Sequence, residues 1–186
     1  PHSPFHFPQE FRDRRMPSEF APPTTSAGDD WQIPAIFKDL SPDDVRGIQA
    51  AYHTSVEFLD LNMGRMLEAI DRLGLGENTV ICYLGDHGYM LGEHGRIEKH
   101  CGFEPAIRAP LLIRAPGGRR QIPATAALVE LIDLAPTTLD FLGLPIPPAI
   151  QGRSLRRVME GRATSHREQV FVEYSENEEA YVVTQR

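Results

Sequence analysis

Residues 41–73 constrain this chain more than any other stretch, because they read as one long helix with one apolar face. Val45, Ile48, Tyr52, Val56, Leu59, Met63, Met66, Leu67, Ile70 and Leu73 follow one another in steps of three and four. Ser41 supplies an N-cap, Pro42 the first helical position and Asp44 an acid three residues after the cap. Gly74 and Gly76 stop the helix. At ~1.5 Å per residue it spans about 48 Å, enough to flank a sizeable sheet. The apolar steps do not hold a heptad repeat, so a coiled coil is excluded.

Strands for such a sheet follow the helix. Residues 79–84 and 110–114 are short, continuous apolar runs without alternation, the pattern of strands buried on both faces, as in a parallel sheet. A second helix is expected over residues 133–142, with Asp133 as cap, Pro136 in the first turn and Gly143 at the stop. Two β-branched runs, 169–174 and 180–184, flank the polar residues 175–179 and predict an antiparallel hairpin. Residues 1–40 are broken by proline and read as extended chain. Helix, buried strand, loop, buried strand, helix points to the α/β class.

Charge and composition narrow the function. A formal charge of −7, from 19 Lys+Arg against 26 Asp+Glu and with no long basic run, argues against a nucleic-acid binder. No apolar run approaches the ~20 residues of a transmembrane helix. Two cysteines, Cys82 and Cys101, can make neither a multi-bridge framework nor a zinc cluster. Cys82 is expected inside a buried strand, as a small hydrophobe. The chain opens on Pro1 without an initiator Met, and the run 181–184 stops without a turn. It is therefore expected to be an internal piece of a longer protein.

The chemistry is concentrated just past the first apolar run, in Gly85-Asp86-His87-Gly88-Tyr89-Met90-Leu91-Gly92-Glu93-His94-Gly95-Arg96-Ile97-Glu98-Lys99-His100. In open α/β sheets ligands bind beyond the carboxyl ends of strands, where Asp86 falls. Adjacent side chains of a strand point to opposite faces, so Asp86 and His87 could share an ion only after the chain leaves the strand. Gly85 and Gly88 permit that turn. A hard cation wants about six to eight oxygens, so further ligands must come from elsewhere.

The same stretch through Gly95, followed by Lys99, Phe103-Glu104, Arg108 and Pro110-Leu111, resembles the sulfatase family of the alkaline-phosphatase-like superfamily. Pro1-His2-Ser3-Pro4-Phe5 is similar to that family's Pro-His-x-Pro segment. The helix with Tyr52, Asp60 and Gly64 extends the match, as do Asp133-Leu134-Ala135-Pro136-Thr137 and Gly152-Arg153-Ser154-Leu155. The resemblance implies an alkaline-phosphatase-like α/β fold, a partial mixed or parallel central sheet flanked by helices. Residues 1–165 would be the C-terminal part of the catalytic domain, and 166–186 the beginning of a small antiparallel C-terminal element.

By the same resemblance, Asp86 and His87 would be metal ligands, usually for calcium, with manganese open because histidine is the softer donor. His2 and Lys99 would be catalytic groups that contact the sulfate. His94 and His100 read either as substrate-pocket residues or as packing histidines, and Glu104 with Arg108 as a supporting ion pair. The family's nucleophile is formylglycine, made in a Cys/Ser-x-Pro/Ala-x-Arg segment. Cys101-Gly102-Phe103-Glu104-Pro105 does not fit it, so the formylglycine is expected upstream of this chain, in a missing N-terminal half. The implied partners are a sulfated small molecule or carbohydrate and that missing half. Location is not readable from these residues, because any targeting signal is expected upstream of Pro1; the family resemblance leans to periplasmic or secreted. Alone, the 186 residues are expected to be inactive and poorly stable. A phosphonate or phosphate ester hydrolase of the superfamily is the nearest alternative, and a non-catalytic sulfatase-like binding module the next.

Overall fold

The computed structural model describes residues 1–30, 32–116, 124–174 and 179–184. In chain order the helices are α1 (Ala35–Lys38), α2 (Pro42–Arg72), α3 (Glu104–Ile107), α4 (Leu134–Phe141) and α5 (Arg156–Met159). The strands are β1 (Ile81–Leu84), β2 (Met90–Leu91), β3 (Ile97–Glu98), β4 (Leu111–Arg114), β5 (Gln169–Tyr174) and β6 (Glu179–Thr184). They form two compact units, one of Pro1–Leu73 with Tyr89–Lys99, the other of Gly74–Gly88 with His100–Arg186.

In the first unit α2 begins and ends as its sequence dictates. The Asp44 N–H donates to Ser41 Oγ at 3.2 Å, and the Ser41 N–H donates to Asp44 Oδ2 at 2.9 Å, closing a reciprocal cap. Gly74, at φ +67°, takes up the left-handed turn after the last helical residues. The buried face differs from the expected apolar stripe. The residues of α2 that are fully covered are Gln49, Ala50, Thr54 and Ser55, while Leu61, Met66, Leu67 and Leu73 are exposed. Small side chains let neighbouring chain come close, and their hydroxyls are satisfied within the helix. Thr54 Oγ1 donates to the Ala50 carbonyl at 2.8 Å and Ser55 Oγ to the Ala51 carbonyl at 3.0 Å. Gln49 Nε2 donates to the Leu91 carbonyl at 3.0 Å and so ties β2 to α2. Strands β2 and β3 pair antiparallel, Met90 opposite Glu98 and Leu91 opposite Ile97, with Met90 fully buried.

In the second unit the expected parallel arrangement is corrected. Strands β1 and β4 pair antiparallel, from Ile81 opposite Arg114 to Leu84 opposite Leu111. A parallel pair needs a crossover, usually a helix, and the longest helix described between β1 and β4 is the single turn α3. Nor are these strands buried on both faces. Ile81, Tyr83, Leu111 and Ile113 are partly covered, and Cys82, Leu84 and Leu112 are exposed, so Cys82 is not the buried hydrophobe expected. A two-stranded antiparallel pair can leave one face open.

Helix α4 lies where it was expected, but Asp133 is not a simple cap. It ends a short 3₁₀ turn, Leu131–Asp133, and its wholly buried carboxylate gathers groups from far along the chain. Arg167 donates through Nε to Oδ2 at 3.0 Å and through Nη2 to Oδ1 at 2.5 Å. The Arg153 N–H reaches Oδ1 at 2.8 Å, and the Glu130 N–H and His166 Nε2 reach Oδ2 at 3.0 and 3.1 Å. Burial pushes this carboxyl up, but the Arg167 guanidinium and the two backbone donors more than cancel that, leaving it below its ordinary value. The hairpin of β5 and β6 forms as expected, from Gln169 opposite Thr184 to Tyr174 opposite Glu179. Its connecting residues 175–178 lie outside the described residues.

Candidate functional site

In the second unit the chain leaves β1 at Leu84, and the next residues supply the candidate cation ligands. Gly85 donates its N–H to the Pro110 carbonyl at 3.0 Å, continuing the β1–β4 ladder by one residue. Gly88 donates to the Ala106 carbonyl at 2.6 Å, and a Cβ on Gly88 would stand 1.9 Å from the Pro105 carbonyl oxygen. Neither glycine has a positive φ, so the turn freedom expected of them is not used; backbone excludes a side chain at Gly88, and at Gly85 a Cβ would be crowded 3.0 Å from the His87 carbonyl oxygen and 3.1 Å from the Pro110 ring.

Between these anchors Asp86 and His87 face each other. Oδ1 of Asp86 lies 3.6 Å from His87 Nε2 and accepts the His87 backbone N–H at 3.1 Å. His87 Nδ1 is 2.7 Å from the Gly88 carbonyl oxygen and must donate to it. In the neutral ring that bond leaves the Nε2 lone pair on the side of the carboxylate. A backbone carbonyl on one ring nitrogen and a carboxylate oxygen near the other is the usual setting of a metal-ligating histidine. The donor set therefore fits a divalent cation as two of its ligands. Among the described residues no group of three or more His, Cys, Asp or Glu could complete such a site. Glu104 and Arg108, exposed at the ends of α3, approach to 3.6 Å as the expected ion pair.

The first unit brings together two residues 97 positions apart. His2 Nε2 and Lys99 Nζ are 2.8 Å apart, and His2 Nδ1 donates to the Ser3 carbonyl at 2.6 Å. That fixes Nε2 as the acceptor from the Lys99 ammonium. Both side chains remain accessible, and His2 lines a cleft of about 360 Å³ with His6, Ser55, Phe58 and Asn62. Three rings of the same unit pack together, Phe5 three positions after His2, Tyr89 ten before Lys99 and Tyr52 from α2. Phe5 meets Tyr52 at 5.5 Å and Tyr89 at 5.7 Å, edge to face, and Tyr52 lies 5.1 Å from Tyr89. Burial pushes the Tyr89 phenol above its ordinary range, with Ser3 opposing that shift and Glu98 adding to it. Its buried oxygen has no hydrogen-bond partner among the described residues.

His94 belongs to the same unit but to a different cleft. It sits in the left-handed region at φ 54°, between Gly92 at 119° and Gly95 at 67°. Its Nδ1 is 2.9 Å from Oδ1 of the buried Asp29. The Ser26 N–H, then the His94 ring and the Ser26 hydroxyl, hold the Asp29 carboxyl below its ordinary range. A polar cleft of about 480 Å³ is lined by Thr24, Thr25, Ser26, Asp29, Glu93 and His94. His100 is exposed in the second unit. Sequence reasoning missed Asp29 and the three-ring cluster. Ser26-x-x-Asp29 was a readable local signal, whereas ring contacts across 84 positions, Phe5 to Tyr89, leave none.

Comparison with known proteins follows the geometry. The family model described as Sulfatase matches residues 1–144. Iduronate 2-sulfatase of Mus musculus is 31% identical over 193 aligned residues, covering 80% of this chain and 35% of that protein. N-acetylglucosamine-6-O-sulfatase of Bacteroides thetaiotaomicron is 40% identical over 109 residues, 59% of this chain and 20% of that one. Among solved structures, a phosphonate monoester hydrolase from Silicibacter pomeroyi superposes with a TM-score of 0.78 at 29% identity, over 92% of this chain and 38% of that chain. Another solved structure, a protein in complex with its substrate D-glucosamine-2-N,6-O-disulfate, gives a TM-score of 0.65 at 31% identity, over 77% of this chain and 30% of that chain. The chain thus spans 35% and 20% of the length of these two curated relatives.

Proposed function

The chain belongs to the sulfatase family, with an alkaline-phosphatase-like fold, and from that premise we propose that it is part of an enzyme hydrolysing sulfate monoesters. The observation that carries the reading is the contact between His2 and Lys99. A sulfate monoester is anionic at every physiological pH, and further charge gathers on its ester oxygen as the S–O bond breaks. The Lys99 ammonium neutralises the sulfate. His2, oriented by its bond to the Ser3 carbonyl, accepts from Lys99 at Nε2, and a proton for the departing oxygen would pass from the ammonium through that nitrogen. Donors fixed before the reaction stabilise the transition state more than the ground state.

Asp86 and His87 would hold a calcium ion, with manganese as the alternative, and when bound it would supply positive charge toward the sulfate oxygens. The proposed nucleophile is a formylglycine outside these 186 residues, so the isolated chain is expected to be inactive. His94 and His100 are proposed contacts for the organic part of the substrate. The substrate class is a sulfated carbohydrate or small molecule, supported by the two carbohydrate-sulfate relatives. The location proposed is periplasmic or secreted.

The structural likeness to a phosphonate monoester hydrolase favours a second reading, phosphonate ester hydrolysis on the same frame. Turnover of 4-nitrophenyl sulfate and of a phenylphosphonate monoester by the complete protein separates the two. Preference for the sulfate is expected, with Lys99→Ala losing about 10²-fold or more in kcat. Preference for the phosphonate replaces the first reading with the second.

A further inference from the structure

We propose that Phe5, Tyr52 and Tyr89 form a clamp whose function is to hold His2 against Lys99, and that these three are positioning residues for the pair. Phe5 lies three positions after His2, Tyr89 ten positions before Lys99, and Tyr52 in the middle of α2. The contact between His2 and Lys99, 97 positions apart, closes a loop of just over half of the 186 residues, which costs conformational entropy. One hydrogen bond between accessible side chains offsets little of that cost. The three rings bring the same segments together through two edge-to-face contacts at 5.5 and 5.7 Å and a tilted one at 5.1 Å, with Tyr89 only 9% exposed. Each ring touches the two others, and Phe5 is the one nearest to His2 in sequence.

The buried Tyr89 oxygen separates ring packing from hydroxyl chemistry. An unpartnered buried hydroxyl is a cost, so removing it while keeping the ring should not loosen the clamp. A second aromatic pair in the same unit provides a control. Phe11, itself buried, meets Phe58 at 5.3 Å and includes none of the clamp residues.

Lysine chemistry provides a readout independent of enzymatic activity. Of the 19 Lys+Arg residues in this sequence only Lys38 and Lys99 are lysine. Limited acetylation of the complete protein, followed by mass spectrometry, therefore measures Lys99 against Lys38 as an internal reference. Phe5→Leu should raise the Lys99/Lys38 labelling ratio about three- to tenfold, as the bond to His2 is lost. The same variant should lower kcat for 4-nitrophenyl sulfate about 10- to 100-fold with KM nearly unchanged, because misplacement acts mainly in the transition state.

Phe11→Leu should lower the Tm and leave both the ratio and kcat near wild type. Tyr89→Phe should match wild type in both. An unchanged ratio in Phe5→Leu overturns the clamp, and so does an equal rise in Phe11→Leu, which would mark general loosening. A raised ratio in Tyr89→Phe overturns it in favour of the hydroxyl. The kinetic arm rests on the sulfatase reading, whereas the labelling arm does not. If the ratio moves as expected but the wild-type protein turns over no sulfate ester, the clamp stands and that reading falls.

Discussion

His2 and Lys99 are joined by side chains drawn from three distant segments, whereas Asp86 and His87 are placed by backbone alone, between two glycines bonded to the main chain around α3 and β4. The first arrangement can be trimmed by degrees, ring by ring. The second has no room to yield, because what opposes a side chain at Gly88 is a carbonyl oxygen and not a flexible tip. The same contrast extends to the units. The first is fastened largely by rings, a buried methionine and hydroxyls bonded within their own helix. The second gathers residues 130, 153, 166 and 167 on one buried carboxylate, Asp133. Precision in one place is bought with carbon, in the other with backbone and charge.

The largest expected effect tests that charge. Asp133→Ala leaves Arg167, whose side chain is 11% exposed, buried without its main partner. It should cost about 3–5 kcal/mol in urea unfolding. Hydrogen exchange should show β5 losing protection while α2 keeps it, and equal loss in both would break the contrast between the units. Acid should weaken the second unit as well, though it also reaches the depressed carboxyls of Asp29 and Asp44 in the first. Asp133 is held below its ordinary value of 3.8, so its contribution is complete above that pH and fades only as pH falls through the depressed folded value. An acid titration followed by exchange should therefore open the second unit below about pH 4.

A smaller effect is expected from Gly88→Ala, about 1–3 kcal/mol of overpacking. Its specific consequence is functional. Calcium binding measured by calorimetry on the complete protein should be lost, while the Lys99/Lys38 labelling ratio stays at its wild-type value. Movement of that ratio would show that the two places are not independently secured. Smallest is Ser41→Ala, which removes one side of the reciprocal cap on α2 and should cost about 1 kcal/mol in urea unfolding.

Legibility in the sequence followed the range of the interaction. The bounds of α2 were readable because capping is decided within three residues, and the β5–β6 hairpin because its two runs are neighbours. The pairing direction of β1 and β4 was not, since a continuous apolar run is compatible with a parallel or an antiparallel partner. The buried face of α2 was misread because apolarity was taken as the measure of burial, while close approach selected Ala50, Thr54 and Ser55. Asp133 had the local look of a cap, and only Arg167, 34 positions on, shows its larger role. In the loop from Gly85 the residue types pointed to a carboxylate and an imidazole beside each other. No spacing rule could announce that His2 meets Lys99.

The order of the segments also sets a timetable for synthesis. The first unit lacks its second segment until Lys99 has been made, and β1 is made before that segment and well before β4. From Leu84 to Leu111 is 27 residues, or roughly one to five seconds at ~5–20 residues per second. Throughout that interval β1 waits for β4, the strand it pairs with. The run from Gly85 to Pro110, where the candidate ligands and Lys99 lie, therefore also sets how long the growing polypeptide is open to wrong pairing.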